Sequence, residues 1–383
     1  MSDLARWGAM AEWNGVELEG LVLHSGRLTL RPWQADDAAA VHAVLADERM
    51  HGHLPLPWPY LPEHARSFVT KHGGVGRAEG SRLDCALAEN TSGRLIGGAT
   101  LQLPSAYDAG SAEIAYWVGV ADQGQGYATE AARTLARFGF AHGLPRIQIR
   151  CTVPNLASAV VAMRAGFGFE TVSRATLRSP GGSPLDAAVF ARTATDPDEP
   201  VAESWPELEP VSDGVITVRP TIPDDWPVLL AEATNEAALR WGFHAKPMPE
   251  RAAIQLAARA GLDRLVSAQN LLLICDAATG AGAGILSLRR FGPPDVVGIG
   301  YGVLPEFRGR GFTTRALRLL AGWAFSRTPI VRLELGCKID NVASARVALA
   351  AGFVQEGRRA GRLRNPDGSY SDELVFGLVR PQA

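Results

Sequence analysis

Two short glycine-rich turns, one in each half of the chain, have residue types and spacing that could bind a phosphate group. The first reads Gln123-Gly124-Gln125-Gly126-Tyr127-Ala128-Thr129, and the second reads Arg308-Gly309-Arg310-Gly311-Phe312-Thr313-Thr314. Each follows an apolar, strand-like run and leads into a segment with the apolar periodicity of a helix. Such a turn leaves several backbone N–H groups without intrahelical partners, at the positive end of the helix dipole. Both turns are therefore predicted to bind phosphate.

Two other phosphate-binding motifs do not fit this spacing. A dinucleotide-binding turn needs Gly-x-Gly-x-x-Gly, and its third glycine position holds Thr129 or Thr314 here. A P-loop needs Gly-Lys-Ser/Thr, which neither turn contains. A turn that only connects a strand to a helix would explain either copy alone. Two copies, each followed downstream by Asn-x-x-Ser, favour binding.

The elements that must position these turns occur twice along the chain. The segment Leu28-Thr-Leu-Arg-Pro32 is repeated as Ile216-Thr-Val-Arg-Pro220, and 17 residues from Cys151 to Phe167 align without gaps to Cys337–Phe353 with 10 identities. A repeat of this length indicates duplication of a whole domain. We predict domains at 1–194 and 212–383, joined by an acidic, Pro-rich linker at 195–211.

Within the first copy, the pattern of apolar residues and turn residues predicts alternating strands and helices. Strands are expected at 28–33, 84–88, 95–103, 112–120 and 146–152, and near Phe190. Helices are expected at 37–46, at 63–71, directly after the glycine turn and at 155–165, with an irregular loop at 51–62.

Composition excludes several classes of function. The chain has 383 residues, a net charge of −2 and 46% apolar residues, so neither nucleic acid nor an anionic membrane surface is an expected partner. No apolar run is long enough for a membrane helix, and the start lacks a secretory signal. Its four cysteines lie far apart and form no Cys-x-x-Cys pair, so no metal site is expected. We expect a soluble cytoplasmic protein.

The repeated motifs together resemble the GCN5-related N-acetyltransferase (GNAT) superfamily. Gln123-Gly-Gln-Gly-Tyr-Ala128 is similar to its acetyl-CoA loop. The Leu-x-Leu-Arg-Pro opening, the Ala-Tyr or Gly-Tyr before the loop, the Asn-x-x-Ser…Gly-Phe after it and the closing Arg364–Asp372 segment resemble the ribosomal-protein N-terminal acetyltransferase (RimJ/RimL-like) branch. The resemblance covers nearly the whole chain, twice. It implies an α+β fold of two tandem domains, each with a mixed, mostly antiparallel central sheet flanked by helices.

The resemblance also implies acetyl-CoA as a cosubstrate and assigns residues to it. The pyrophosphate would lie on the N–H groups from Gly124 to Thr129 and from Gly309 to Thr314, and strand N–H groups would hold the acetyl carbonyl. The implied cofactor-binding residues are Val118, Val120, Gln123, Gly124, Gln125, Gly126, Tyr127, Ala128, Thr129 and Asn155 in the first copy, and Val303, Arg308, Gly309, Arg310, Gly311, Phe312, Thr313, Thr314 and Asn341 in the second.

Acetyl transfer to an amine needs a base, and Glu113 is the candidate. It lies on the strand leading into the loop, ten residues before Gln123, and a strand glutamate could equally be a solvent-facing residue. In the second copy, the residue ten positions before Arg308 is Gly298, so this copy lacks the carboxylate. We therefore expect the first domain to catalyse, and the second to bind acyl-CoA weakly or to be structural.

The reaction also needs a proton for the leaving thiolate, and Ser158 and Ser344 of the two Asn-x-x-Ser motifs are the candidate acids. Many family members place a tyrosine seven residues after the asparagine, where this chain has Ala162 and Ala348. Alternatively, both serines are ordinary polar residues in the first turn of a helix, and both asparagines are N-caps.

The second copy also differs from the family pattern at its loop. Thr313 stands where the family has Gly or Ala, while Arg308 and Arg310 make the loop more basic, which favours phosphate. Aromatic and histidine side chains in the loops after the first helix of each copy could line an acceptor pocket or only pack those loops: His51, His53, Trp58, Trp241 and His244.

The sequence therefore predicts an N-acetyltransferase acting on a primary amine. The acceptor would be a peptide or protein N-terminus, or an antibiotic-like small molecule. The alternative is a degenerate pair of domains that bind acyl-CoA for regulation or as a scaffold. Because many family members dimerise, the second domain could replace a partner subunit. That arrangement predicts a monomer with an internal pseudo-dimer, with a homodimer as the other state.

Overall fold

The computed structural model describes residues 16–52, 54, 56–72, 74–103, 111–242, 246–290 and 292–382. The chain divides into two compact units, Met1–Ala202 (unit 1) and Glu203–Ala383 (unit 2). His53 and His244, two of the predicted loop residues, lie outside the described residues.

The described residues of unit 1 form eight strands and six α-helices. The strands are β1 Leu23–His24, β2 Leu28–Arg31, β3 Arg82–Glu89, β4 Leu95–Gln102, β5 Ser111–Val118, β6 Arg146–Thr152, β7 Gly168–Arg178 and β8 Pro184–Thr193. The helices are α1 Asp37–Leu45, α2 Glu48–His51, α3 Pro62–Ser67, α4 Val75–Ala78, α5 Tyr127–Ala141 and α6 Leu156–Arg164. The helix expected at 63–71 continues beyond α3 as a π-helical turn, Phe68–His72. The short helices α2 and α4 were not expected.

Unit 2 repeats this order. Its strands are β9 Val211–Ser212, β10 Ile216–Pro220, β11 Gln269–Asp276, β12 Gly282–Arg289, β13 Val296–Val303, β14 Arg332–Lys338, β15 Val354–Arg364 and β16 Tyr370–Val379. Its helices are α7 Trp226–Thr234, α8 Glu236–Trp241, α9 Glu250–Val266, α10 Phe312–Arg327 and α11 Val342–Ala350.

Each unit has one eight-stranded sheet with the same strand order. The orders are β1-β2-β3-β4-β5-β6-β8-β7 and, in the equivalent positions, β9-β10-β11-β12-β13-β14-β16-β15. All neighbouring strands are antiparallel except β5 with β6 and β13 with β14. The predicted fold class, α+β with a mixed, mostly antiparallel sheet in each of two domains, is confirmed.

The two parallel pairs of strands are short. β5 pairs with β6 only from Ser111 to Glu113, and β13 pairs with β14 only from Val296 to Gly298. Beyond these short stretches each pair of strands separates, although β5 continues to Val118 and β13 to Val303. The carboxyl-terminal half of each central strand therefore has one edge without a strand partner.

A partly buried ion pair in each unit explains the arginine of the repeated Arg-Pro segment. Arg31 donates from both terminal nitrogens to the carboxylate of Asp37, at 2.8 and 2.7 Å, and Arg219 does the same to Asp225 at 2.8 and 2.7 Å. Such bidentate pairs fix orientation as well as distance. In each unit the pair joins the end of the second strand to the start of the first long helix.

The apolar face of the helix after each glycine turn packs on the sheet. In α5 the buried residues include Ala131, Ala132, Leu135 and Phe138, and in α10 they include Ala316, Leu320 and Trp323. Since most helical stability comes from such packing, the first turn of each helix is held firmly against the sheet.

The predicted linker at 195–211 is only partly a linker. Asp198 accepts from Arg137 at 2.6 Å and from Arg192 at 2.8 Å, so the first part belongs to unit 1. Trp205 and Leu208 are 0% and 1% exposed and lie in the core of unit 2. Among the described residues, no helix is long and apolar enough to cross a membrane.

Candidate functional site

Both glycine turns use backbone conformations that favour glycine. Gly124 and Gly126 have φ of 74° and 84°, and Gly309 and Gly311 have φ of 71° and 76°. A Cβ built on Gly124, Gly309 or Gly311 would meet no atom within 4 Å. The turns are therefore shaped by left-handed glycines and face open space, as a phosphate cradle requires.

The helices that follow begin without a side-chain cap. Gly126 and Gly311 are the N-cap residues, and their carbonyls accept from Glu130 N at 3.0 Å and from Arg315 N at 3.1 Å. Within the described parts of the chain, the N–H groups at 127–129 and 312–314 have no recorded acceptor. Uncapped donors at the positive end of a helix dipole fit an anionic group, and the pyrophosphate of CoA is such a group.

The first side chain of each turn donates a hydrogen bond to the end of the central strand. Gln123 Nε2 donates to Val118 O at 3.0 Å, and Arg308 Nε donates to Val303 O at 3.1 Å. Arg308 also donates to Asn235 Oδ1 at 2.9 Å. The turn and the strand end are thus held together in both units.

The basic residues of the second turn already have protein partners. Arg310 pairs with Asp276 at 3.0 Å and lies over the Phe312 ring at 4.6 Å, while Arg308 is occupied as described above. A contribution of either guanidinium to phosphate binding stays a prediction.

The unpaired edge of each central strand presents a backbone donor. Gly119 N donates to Ile96 O in β4, and Leu304 N donates to Ala283 O in β12, each at 2.9 Å. Since N–H directions alternate along a strand, the N–H groups of Val118 and Val303 face the opposite side, where β6 and β14 diverge. Val120 begins a 3₁₀ turn, and its expected share in this role stays a prediction.

Each predicted serine is bonded to a tyrosine of the central strand. The hydroxyls of Tyr116 and Ser158 are 3.0 Å apart, and those of Tyr301 and Ser344 are 2.8 Å apart. Burial raises the pKa of both phenols, to about 12 for Tyr301, although the bond to serine opposes the shift. Both tyrosines are therefore protonated at neutral pH and can act as proton donors.

The asparagines of the two Asn-x-x-Ser motifs are N-caps. Asn155 Oδ1 accepts from Ser158 N, and Asn341 Oδ1 accepts from Ser344 N, each at 3.1 Å. This bond fixes the first helical turn, so that the serine reaches the tyrosine. Sequence reasoning missed this contact of the two tyrosines, although Ala-Tyr and Gly-Tyr before the loops are part of the motif.

Glu113 is the last residue of β5 that pairs with β6. Its Oε2 accepts from Arg150 Nε at 2.9 Å and lies 3.5 Å from Gln148 Nε2, and its side chain is 27% exposed. The register places Gly298 of β13 at the equivalent position, since both residues end the parallel pairing. Glu113 and Tyr116 are three residues apart, so their side chains point to opposite faces of the strand.

In unit 2 these features line one cleft of about 680 Å³. Its walls include the glycine turn, the end of β13 and the start of α11. Three carboxylates also line it, none of which the sequence had indicated. The chemically important lining residues are Gly309, Gly311, Val303, Tyr301, Ser344, Cys337, Glu232, Glu334 and Glu373.

The structure gives contacts for three of the predicted loop residues, and their role at an acceptor pocket stays a prediction. His51 and Trp58 pack on each other with ring centroids 4.8 Å apart. Trp241 lines the cleft of unit 2, and the Arg240 guanidinium lies 4.5 Å from its ring centroid.

In each unit an ion pair joins the helix that follows the glycine turn to the hairpin before the second strand. The helix supplies the acidic residue in unit 1 and the basic residue in unit 2. In unit 1, Glu130 of α5 accepts from Arg27 Nε at 2.7 Å, and in unit 2, Arg315 of α10 donates to Asp213 at 2.7 Å. Glu130 and Arg315 are each the fourth residue of their helix. The first turn beside the cradle is therefore acidic in unit 1 and basic in unit 2.

The chain is similar to known proteins in sequence and to solved structures. Probable N-acetyltransferase YjcK of Bacillus subtilis (strain 168) is 32% identical over 83 residues, which cover 22% of this chain and 45% of that relative, so the chain spans less than half the length of this curated relative. The crystal structure of ribosomal-protein-S5-alanine acetyltransferase from Vibrio fischeri is similar at 20% identity and a TM-score of 0.41, over 46% of this chain and 98% of that one.

RimL, described as a ribosomal L7/L12 alpha-N-protein acetyltransferase in complex with coenzyme A, is similar at 22% identity and a TM-score of 0.40, over 45% of this chain and 98% of that one. The family described as Acetyltransferase (GNAT) domain matches residues 27–168 and 216–354, which together exceed half of the chain. With the same fold and the same cradle in each unit, the chain belongs to the GNAT acetyltransferase family as a tandem of two domains.

Proposed function

We propose that this chain is an acetyl-CoA-dependent N-acetyltransferase that acetylates a primary amine. The observation that carries the proposal is one cleft in unit 2 that joins an uncapped helix N-terminus, a free strand edge and a Tyr–Ser pair. Unit 1 has the same three features. A curated relative is named an N-acetyltransferase, which supports an amine acceptor.

Acetyl-CoA supplies the activated acetyl group, and the residues of the chain supply binding and proton transfer. The N–H groups at 127–129 and 312–314 bind the pyrophosphate. The N–H groups of Val118 and Val303 polarise the acetyl carbonyl, because they point at the position where negative charge develops. Ser158 with Tyr116, and Ser344 with Tyr301, donate a proton to the departing sulfur.

In unit 1, Glu113 accepts the proton of the acceptor ammonium, through water. Arg150 and Gln148 hold its carboxylate on the face of β5 opposite Tyr116, which separates the base from the acid. That separation suits a reaction in which the amine and the thiolate occupy different sides of the carbonyl carbon. The acceptor is a peptide or protein N-terminus, or a small-molecule amine.

The test is release of CoA thiol by the full chain from acetyl-CoA with a panel of amines: an alanyl peptide with a free α-amino group, an aminoglycoside and spermidine. The proposal expects amine-dependent release that falls when both turns are blocked by Gly124→Val and Gly309→Val. The control is Gly93→Val with Gly280→Val, because these turn glycines also have positive φ, at 68° and 73°, and open surroundings.

The regulatory or scaffold alternative predicts a different result. A pure binder would show thermal stabilisation by acetyl-CoA without amine-dependent thiol release. Equal activity of the blocked chain and the control chain would contradict the assignment of the turns.

A further inference from the structure

A carboxylate of α7 reaches the central strand of unit 2. Glu232 packs against Gly302 so closely that a Cβ on Gly302 would lie 1.8 Å from Glu232 Oε1. Gly302 stands between Tyr301, which bonds Ser344, and Val303, whose N–H faces the open edge. Glu232 therefore lies beside the backbone that would hold the reacting carbonyl.

Among the residues that the structure describes, Glu232 differs from the other two carboxylates of the cleft in that no side chain pairs with it. Glu334 accepts from Arg332 at 2.7 Å, and Glu373 lies 3.3 Å from Arg359. Within the described residues, no hydrogen bond or ion pair to the Glu232 carboxylate is recorded. Burial raises the pKa of Glu232, and the charge of Arg308, which is bonded to Val303 O and Asn235, partly opposes the rise.

The faces of β13 put this carboxylate opposite the proton donor. Side chains alternate along a strand, so the Cα position of Gly302 opens to the face away from Tyr301 and Ser344. A carbonyl held at the edge by Val303 N–H would have the Tyr–Ser pair on one side and Glu232 on the other. Amine attack and thiolate departure need this separation of base and acid.

Unit 1 fills the same two positions with apolar side chains. Glu232 is seven residues after Asp225, and Val44 is seven residues after Asp37. Gly302 pairs with Ile285 in β12, and its equivalent Trp117 pairs with Gly98 in β4 and stacks on Trp33 at 6.1 Å. Each unit therefore carries a carboxylate on this face at a different place: Glu113 on β5 in unit 1, and Glu232 on α7 in unit 2.

We propose that unit 2 is a second active site, in which Glu232 is the base that takes a proton from a cationic primary amine. The ammonium first gives a proton to the Glu232 carboxylate, which frees the nitrogen lone pair to form the bond to the acetyl carbon. As the carbon–sulfur bond breaks, a proton from the Tyr301–Ser344 pair passes to the sulfur. The second proton that the nitrogen loses in forming the amide passes through water to that pair, and Glu232 releases its proton to solvent. This inference rests on the proposed function, and it replaces the expectation that the second copy lacks a base.

The experiment uses the full chain with unit 1 silenced by Glu113→Gln and Gly124→Val. Two nucleophiles are compared with acetyl-CoA: an alanyl peptide, whose amine is protonated at pH 7, and hydroxylamine, which is already neutral at that pH. Glu232→Gln should lower kcat with the peptide about 100-fold, as loss of a general base does, and change kcat with hydroxylamine less than about threefold. The matched control is Glu250→Gln, an exposed carboxylate of α9 outside the cleft, which should change neither.

Three results would overturn the inference. The first is equal loss with both nucleophiles, which indicates a structural role for Glu232. The second is no loss with the peptide. The third is no thiol release from the silenced chain while the wild type is active, which shows that unit 2 does not catalyse. Absence of release from the wild type with either nucleophile would instead reject the proposed function, and this inference with it.

Discussion

Removal of one phenol hydroxyl should lower the stability of unit 2 slightly and its rate of acetyl transfer strongly. In Tyr301→Phe the ring stays in place, and the hydroxyl that contacts Ser344 Oγ at 2.8 Å and Ser344 O at 3.3 Å is lost. A neutral hydrogen bond of this kind contributes about 1 kcal/mol to the free energy of unfolding. For a unit of this size we expect the melting temperature to fall by roughly 2–4 °C.

The effect on turnover should be much larger than the effect on stability. A positioned proton donor contributes about 10²–10⁴-fold to the rate, so Tyr301→Phe should lower kcat by at least the smaller factor. If the phenol and the serine hydroxyl act as one donor, Ser344→Ala and the double variant should lose about as much as either single variant, since residues that act as a unit are not additive.

The assay is amine-dependent thiol release by the chain with unit 1 silenced as above, together with calorimetry of each variant. The matched control is Tyr116→Phe, which breaks the equivalent 3.0 Å contact in the silenced unit. It should cost similar stability and leave kcat unchanged. Equal kcat for the Tyr301→Phe and Tyr116→Phe chains, or additive losses for Tyr301→Phe and Ser344→Ala, would refute the reasoning.

Three further predictions follow from the cradle, the buried carboxylate and the linker. Calorimetric titration with acetyl-CoA should give two sites per chain, and one site after either Gly124→Val or Gly309→Val; an unchanged stoichiometry would contradict the cradle assignment. Burial raises the pKa of Glu232 in the folded state, so folding favours the protonated carboxyl group. Its contribution to the free energy of unfolding is therefore fully present below the unfolded-state pKa of about 4.3, and it is lost as the pH rises through the folded-state pKa. Glu232→Gln should therefore raise the melting temperature at pH 8 and lose that advantage near pH 4, and the opposite trend would contradict the burial argument. Trp205→Ala should destabilise unit 2 by about 3–5 kcal/mol in denaturant unfolding, because the ring is fully buried and its Nε1 donates to Ser267 O at 3.1 Å, whereas a linker residue would show almost no change.

The parts of the fold encoded by local patterns could be predicted. Alternation located β2–β6, and β6 was predicted with its observed bounds, Arg146–Thr152. The glycine turns were recognisable because φ near +75° leaves few alternatives to glycine. Asn155 and Asn341 were recognisable as caps because a cap is a contact between near neighbours in sequence.

The missing parts of the site depend on contacts between distant residues. Tyr116 and Ser158 are 42 residues apart, so their pairing needs the diverging strands to be in place. Glu232 lies within an ordinary helical pattern. Its position beside β13 depends on Gly302, because a side chain at that residue would occupy the space of the Glu232 carboxylate. Trp205 sits among prolines and acids, where composition suggests solvent, and only the packed core shows that it is buried.

The opposite polarity of the Glu130–Arg27 and Arg315–Asp213 pairs has a consequence for chimeras of the two units. Exchange of α5 for α10 would place Arg315 beside Arg27 in one unit and Glu130 beside Asp213 in the other. Like charges at these distances are destabilising. Because Arg27 and Arg315 are 49% and 42% exposed, each mismatched pair should cost less than about 1 kcal/mol, so the two helices are exchangeable only with a small loss of stability.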